Sequence, residues 1–318
     1  MTHTTLSVDV GARQEPRALA TLGVGVSAAL LFALFHVAPV LSLAAVVCPL
    51  PLAVHRLRGG LAAGLLATAV AAAAVGAVFS LGSALLFVAA FAAPGLLVAE
   101  GLARGRGLLR GCTWGFGLLA CEVVALLLGA APQMAALVLD PLEQMRSQQF
   151  LDDMRQGGLP PERIEAFAEQ ARVWHDALAV VYPGAYIVLA ALIVFANAAL
   201  LRTYLARRDP GWLEGGEFEE IRFSSALAPI FLLAGFGVVF PVVRSVSYNL
   251  LLILGFFFAV QGVAVMAYYA HRLAGPPMLR AVVMLLVLLN PWAPQVLALL
   301  GLFDLFLDFR KWARPSPA

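Results

Sequence analysis

The chain has 318 residues, 62% of them apolar and only 13% charged, with a mean hydropathy of +0.89. So few charges exclude an ordinary soluble globule, a disordered chain and a nucleic-acid partner, and put the chain in or against a bilayer. The net charge of +2 says little, because basic and acidic residues occupy different segments.

Residues 1–17 are polar and lack a cleavage site before the first apolar run, so they read as a cytoplasmic tail ahead of an uncleaved helix. A helix of about 20 apolar residues crosses the hydrocarbon core. On that measure, charges and turn residues cut the chain into spans near 18–35, 38–54, 60–78, 82–101 and 108–130. Further spans fall near 179–203, 224–243 and 247–271, and a last apolar stretch covers 278–309. The predicted fold class is all-α: a polytopic transmembrane bundle of about 8–10 membrane segments with one extracytoplasmic helical insert. The domain order is a tail (1–17), helices 18–130, the insert 131–178, helices 179–309 and a C-terminal tail (310–318).

Arginine placement sets the direction, since short cytoplasmic loops are enriched in basic residues. His55, Arg56 and Arg58 follow the second span, Arg104, Arg106 and Arg110 the fourth, Arg202, Arg207 and Arg208 the sixth, and Arg272 and Arg280 the eighth. Basic-poor loops alternate with these, which predicts a cytoplasmic N-terminus. Lys311 is the sole lysine, and this arginine bias is that of a GC-rich bacterial genome, hence a bacterial inner (cytoplasmic) membrane. Pro291 and Pro294 each remove a helix donor within the last stretch. They predict either a broken hairpin, 278–292 out and 295–309 back, or one long kinked span; Arg310, Lys311 and Arg314 look cytoplasmic, and the hairpin is favoured because it sets Trp292 at the outer interface.

Residues 131–178 carry eight acidic residues against four arginines. Gly157-Gly158 ends one helix and Pro160-Pro161 opens the next. Ile164, Phe167, Ala171, Trp174 and Leu178 recur on one helical face. The insert reads as a helical hairpin whose second helix runs into the sixth span. It is either a connector resting on the lipid or a lid over an outward-facing site.

Small residues at i, i+4 let helix backbones approach closely in lipid. Gly60, Gly64, Thr68, Ala72, Gly76 and Ser80 form such a ridge in the third span, and Gly25, Ala29 and Ala33 one in the first. They predict packing within the chain or onto a partner subunit. Gln261, Asn197 and Asn290 are expected to pack as hydrogen-bonding amides. Ionisable groups at membrane depth are costly, which singles out Glu122 within the fifth span. Arg244, at the outer end of the seventh span, and His36, at the outer end of the first, are its candidate partners in a ligand site. The alternative is a protonated glutamate that only packs. Asp304 and Asp308 lie one turn apart before Arg310-Lys311 and read as interfacial pairing with those cations.

Catalytic motifs such as HExxH, GxSxG and Walker A are missing from the sequence, and Gly23-Val24-Gly25-Val26-Ser27-Ala28 lacks the strand a dinucleotide site needs. Cys48, Cys112 and Cys121 lie singly in apolar segments, with no metal or disulfide pattern. The expectation is a non-enzyme without cofactor or metal.

The C-terminal third resembles the YybS-like family of uncharacterised bacterial membrane proteins. The resemblance rests on Gln261-Gly262, His271-Arg272, Arg222-Phe223, the acidic insert, and the closing run from Gly301 through Asp304 and Asp308 to Arg310-Lys311. The first six spans are similar to the substrate-binding subunits of energy-coupling-factor transporters, through Pro39, Pro49-Leu50-Pro51 and Gly59-Gly60…Gly64. That second resemblance implies a small organic ligand near the outer face and docking on other membrane subunits or a transporter ATPase module. The expected function is a small-molecule-binding membrane subunit; the alternative is a ligand-free scaffold for other proteins.

Overall fold

A computed structural model describes residues 18–37, 46–209, 211, 218–272, 282, 290 and 292–313, and these are helical, in turns or in short irregular links. The helices are α1 (Ala18–Val37), α2 (Pro49–Val78), α3 (Leu81–Ala103), α4 (Leu108–Met145), α5 (Gln148–Gln156), α6 (Pro161–Arg208), α7 (Leu227–Gly237), α8 (Arg244–Arg272) and α9 (Ala293–Leu307). Among the described residues, α2, α3, α4, α6 and α8 are long and apolar enough to cross a membrane, and α1, α7 and α9 add shorter apolar helices. The chain is thus an all-α polytopic bundle. It divides into two units, residues 1–122 with 190–216, and residues 123–189 with 217–318.

In the first unit, α2 reverses at Gly60. This residue has φ 86° and ψ 176°, a conformation open to glycine and strained for other residues. A methyl group on Gly64 would lie 3.0 Å from Arg56 Cβ, whereas residues that far apart on a straight helix are separated by about 12 Å. The 49–59 and 61–78 limbs therefore fold against each other. Gly60 itself is not a packing glycine, contrary to expectation: nothing lies within 4 Å of where its Cβ would be. Gly64 does pack tightly, against Arg56 and Leu96, and a Cβ added to Gly76 would meet Ala84 at an ordinary 3.4 Å. The most buried stripe of this limb is Ala63, Ala67, Ala71 and Val75, one residue round from the predicted ridge. Gly25 seats α1 on it: a Cβ added there would stand 2.7 Å from the Ala67 carbonyl oxygen. The core closes on Phe32, whose ring meets Phe87 and Phe91 edge-on at 5.4 and 5.6 Å. Pro94 removes a backbone donor from α3, and the helix widens into a π turn over Phe87–Ala92 just before it.

In the second unit, α4 breaks at Ala130 (φ −142°, ψ 35°), where the fifth span was predicted to end. Gly157 closes α5 and Pro161 opens α6. At 48 residues α6 is about 72 Å long, more than twice a ~30 Å hydrocarbon core. Along its first turns Ile164 and Ala171 are buried, but Trp174 is 55% exposed, and His175 takes the inward position. Counting from Ala171, i+4 continues the buried stripe better than i+3. The His175 imidazole faces Glu143 (3.4 Å) and Asp176 (3.3 Å). Nearby, the Arg172 guanidinium hydrogen-bonds Glu169 and holds its carboxyl below the usual range.

One predicted span differs. The seventh does not form one full-length helix: α7 covers only 11 residues, about 16 Å, and the chain turns through 238–243 around Pro241. In the last stretch α9 runs alongside α8 in the same direction. Gln261 meets Asp304, and Tyr268 and Tyr269 donate hydrogen bonds to the carbonyls of Arg310 and Phe309. α9 therefore has the direction expected of the hairpin's return limb, and a single span from 278 to 309 would run opposite to α8. Most of the outward limb (278–292) lies outside the described residues, as do the tail 1–17 and residues 38–45.

Candidate functional site

The residues of the closing motif come together on one polar cluster. The crossing of α8 and α9 is made by glycine on both sides. A Cβ on Gly301 would stand 1.9 Å from the Phe258 carbonyl oxygen, and one on Gly262 would stand 2.0 Å from that of Leu297. Backbone contact this close holds two polar side chains in register. Gln261 and Asp304 are both 0% exposed, and Gln261 Nε2 donates to Asp304 Oδ2 at 2.9 Å. Gln261 Oε1 accepts the Phe223 N–H (2.9 Å), tying in the start of the α7 segment. Asp304 Oδ1 accepts the Phe309 N–H at 3.1 Å, and its Oδ2 lies 3.3 Å from the Arg310 guanidinium. Arg310, 3% exposed, also donates to the Ile221 carbonyl at 2.9 Å.

Asp308 caps α9 in the left-handed region (φ 46°) and pairs with Arg222 and, at 3.4 Å, Lys311. The expected interfacial pairing of Asp304 and Asp308 with the following cations is therefore present, but Asp304 is in the core rather than at a surface. A carboxylate so buried needs both a charge and hydrogen bonds to be tolerated, and this one has them. Most polar atoms described in the cluster are engaged with one another or with nearby backbone. The cluster's chemistry is that of a latch.

The other predicted site is described only in part. Glu122 is half-buried on α4 and, among the described residues, makes no hydrogen bond or ion pair. Arg244 is exposed at the start of α8, where its Nε donates to the Val238 carbonyl at 3.1 Å. The side chain of His36 lies outside the described residues. Asn197 is buried, and its Nδ2 donates one turn back, to the Ile193 carbonyl.

Three arrangements escaped the sequence reading. Asn249 on α8 repairs α6 at Pro183: the Gly184 N–H, denied its helical partner, donates to Asn249 Oδ1 (2.6 Å), and the Val180 carbonyl accepts from Asn249 Nδ2 (2.9 Å). Glu100 on α3 is held by Arg56 at 2.6 Å and by Arg104 at 2.6 Å, so residues first noted as orientation signals also tie α2 to α3. The third is a groove of about 300 Å³ between α1, the 49–59 limb of α2 and the end of α6. Val24, Leu50, Pro51 and Val54 form an apolar floor, and His55, Arg58 and Tyr204 form a polar rim. Positions 50, 51, 54, 55 and 58 share one helical face, a signal that was available. Tyr204 reaches it only through the fold. His55 Nε2 is 3.0 Å from Thr21 Oγ1, and Arg58 sits 5.6 Å from the Tyr204 ring centre while pairing with Asp209 at 2.7 Å.

Comparison with known proteins gives one match. Residues 26–305 fit the family described as "Predicted membrane protein (DUF2232)", and the chain belongs to that family. No curated protein and no solved structure matches it. The matched region includes Gln261, Gly301 and Asp304 and stops short of Asp308 and Arg310.

Proposed function

We propose that this protein is a small-molecule-binding subunit of a bacterial inner membrane and that the groove beside Arg58 is its ligand seat. The groove is the observation that carries the reading: an apolar floor under a few convergent polar groups is the usual anatomy of a ligand site. The sequence carries no ATPase motif, so a transport cycle would draw on a partner ATPase module, as in the energy-coupling-factor systems, or on an ion gradient. Under the positive-inside rule Arg56, Arg58, Arg207 and Arg208 put this groove at the cytoplasmic interface. That differs from the outer-face site implied by the transporter resemblance.

A second reading, a membrane scaffold without ligand, is supported by the Gln261–Asp304–Arg310 latch, which spends the most buried polar groups of the second unit on internal structure. Native mass spectrometry of the detergent-purified protein separates the two. A retained small molecule at one equivalent is expected for the binding subunit. Co-purifying membrane proteins with no small molecule would favour the scaffold.

A further inference from the structure

Resting on the ligand-seat reading, we infer that the groove takes an amphiphilic anion, with an apolar tail along Val24 and Val54 and a phosphate or carboxylate head on Arg58 and His55. Three observations converge. The floor is apolar, and among the described residues that line the groove Arg58 carries the only full positive charge. Arg58 offers five N–H donors in a planar fork suited to phosphate and carboxylate, and one of its terminal nitrogens is engaged by Asp209 Oδ2. That ion pair is half exposed, with side chains 53% and 36% accessible, and exposed pairs contribute little. Asp209 is thus an intramolecular anion on the cationic end of the groove, in the place an incoming head would take. His55, three residues before Arg58, lies one helical turn deeper on the same face. It adds a second polar group, already oriented by Thr21.

The test uses the full chain, delipidated in a neutral detergent and titrated with decyl phosphate, decanol and inorganic phosphate by native mass spectrometry. Decyl phosphate is expected to bind at one equivalent, and decanol or inorganic phosphate about tenfold or more weakly, the factor set by about 1.4 kcal/mol from the missing half. Arg58→Gln should weaken decyl phosphate by about tenfold, the loss of one charge-assisted contact. Asp209→Asn should tighten it, a gain that misfolding cannot produce. A second arm reconstitutes the protein in nanodiscs of phosphatidylglycerol and phosphatidylcholine. Retained phosphatidylglycerol that Arg58→Gln releases identifies a lipid headgroup as the source, and a retained soluble anion identifies the cytosol; either supports the inference. Decanol binding as well as decyl phosphate would overturn it, as would Arg58→Gln and Asp209→Asn both weakening binding. A neutral molecule retained from the cell would overturn the anion alone and leave the binding-subunit reading intact. No retained molecule and no probe binding would remove both.

Discussion

Gly301→Ala is expected to be the most damaging single methyl in the second unit, and its cost follows from the α8–α9 crossing. The added Cβ would stand 1.9 Å from the Phe258 carbonyl oxygen and 2.9 Å from the Gly262 nitrogen. Ordinary contact for such atoms is about 3.4 Å, so the helices must separate by about 1.5 Å. Both obstacles are backbone, and neither can rotate away. Overpacking a tight site costs about 1–3 kcal/mol, and immovable neighbours argue for the upper end. The same separation would stretch the Gln261–Asp304 hydrogen bond from 2.9 Å beyond reach. That leaves buried polar groups short of a partner at a further ~1–3 kcal/mol. The expected total is about 4–6 kcal/mol. The control is Gly255→Ala on the same α8, where nothing lies within 4 Å of the new methyl. Relief of glycine's helical cost should stabilise that variant by ~0.5–1 kcal/mol. Thermal unfolding in detergent, followed by circular dichroism and by size-exclusion recovery after heating, measures both. Equal midpoints for the two variants would refute the close-crossing argument.

Asn249→Leu should cost about 1–2 kcal/mol in the same assay, because interhelical hydrogen bonds in bundles are worth roughly that; a silent substitution would mean that α6 closes its own ladder at Pro183. Gly60→Ala should cost about 1–3 kcal/mol through strain at positive φ with no steric clash, so Gly60→Asn should be milder, and equal losses would point to packing instead. Glu122→Gln should leave both stability and ligand retention unchanged, since the carboxyl has no ion pair to lose among the described residues; loss of retention would move the ligand seat to Glu122. Accessibility tags at 155 should report the outside and tags at 106, 208 and 318 the inside, the last following from α9 lying parallel to α8; a cytoplasmic reporter at 155 would reverse the orientation.

Much of the fold was legible because lipid simplifies the code. Where the backbone must satisfy its own hydrogen bonds, a charge-free run of sufficient length can only be helix. Turn chemistry at Gly59-Gly60, Gly157-Gly158 and Pro160-Pro161 then marks where such runs end. The same argument overreached at 224–243, because hydropathy records that a segment is apolar and not that it stays helical past Gly237 and Pro241. Trp174 was misplaced by a one-residue choice between i+3 and i+4, which periodicity alone leaves open.

Hydropathy, arginine placement and glycine spacing thus determine the class of this protein, its succession of membrane helices and the residues of its closing motif. Tertiary structure alone decides what those residues do. Asp304 reads as interfacial from its neighbours in sequence, yet it is the most buried carboxylate described, because two glycines from distant segments let α8 and α9 touch. Arg58 reads as an orientation signal, yet the reversal at Gly60 and the end of α6 bring it to Tyr204 and Asp209 on the rim of a groove. The physical reason is the same in both cases. Burial and partnership depend on which helix faces are brought into contact, and that choice is made by packing between segments far apart in the chain, which no local pattern encodes.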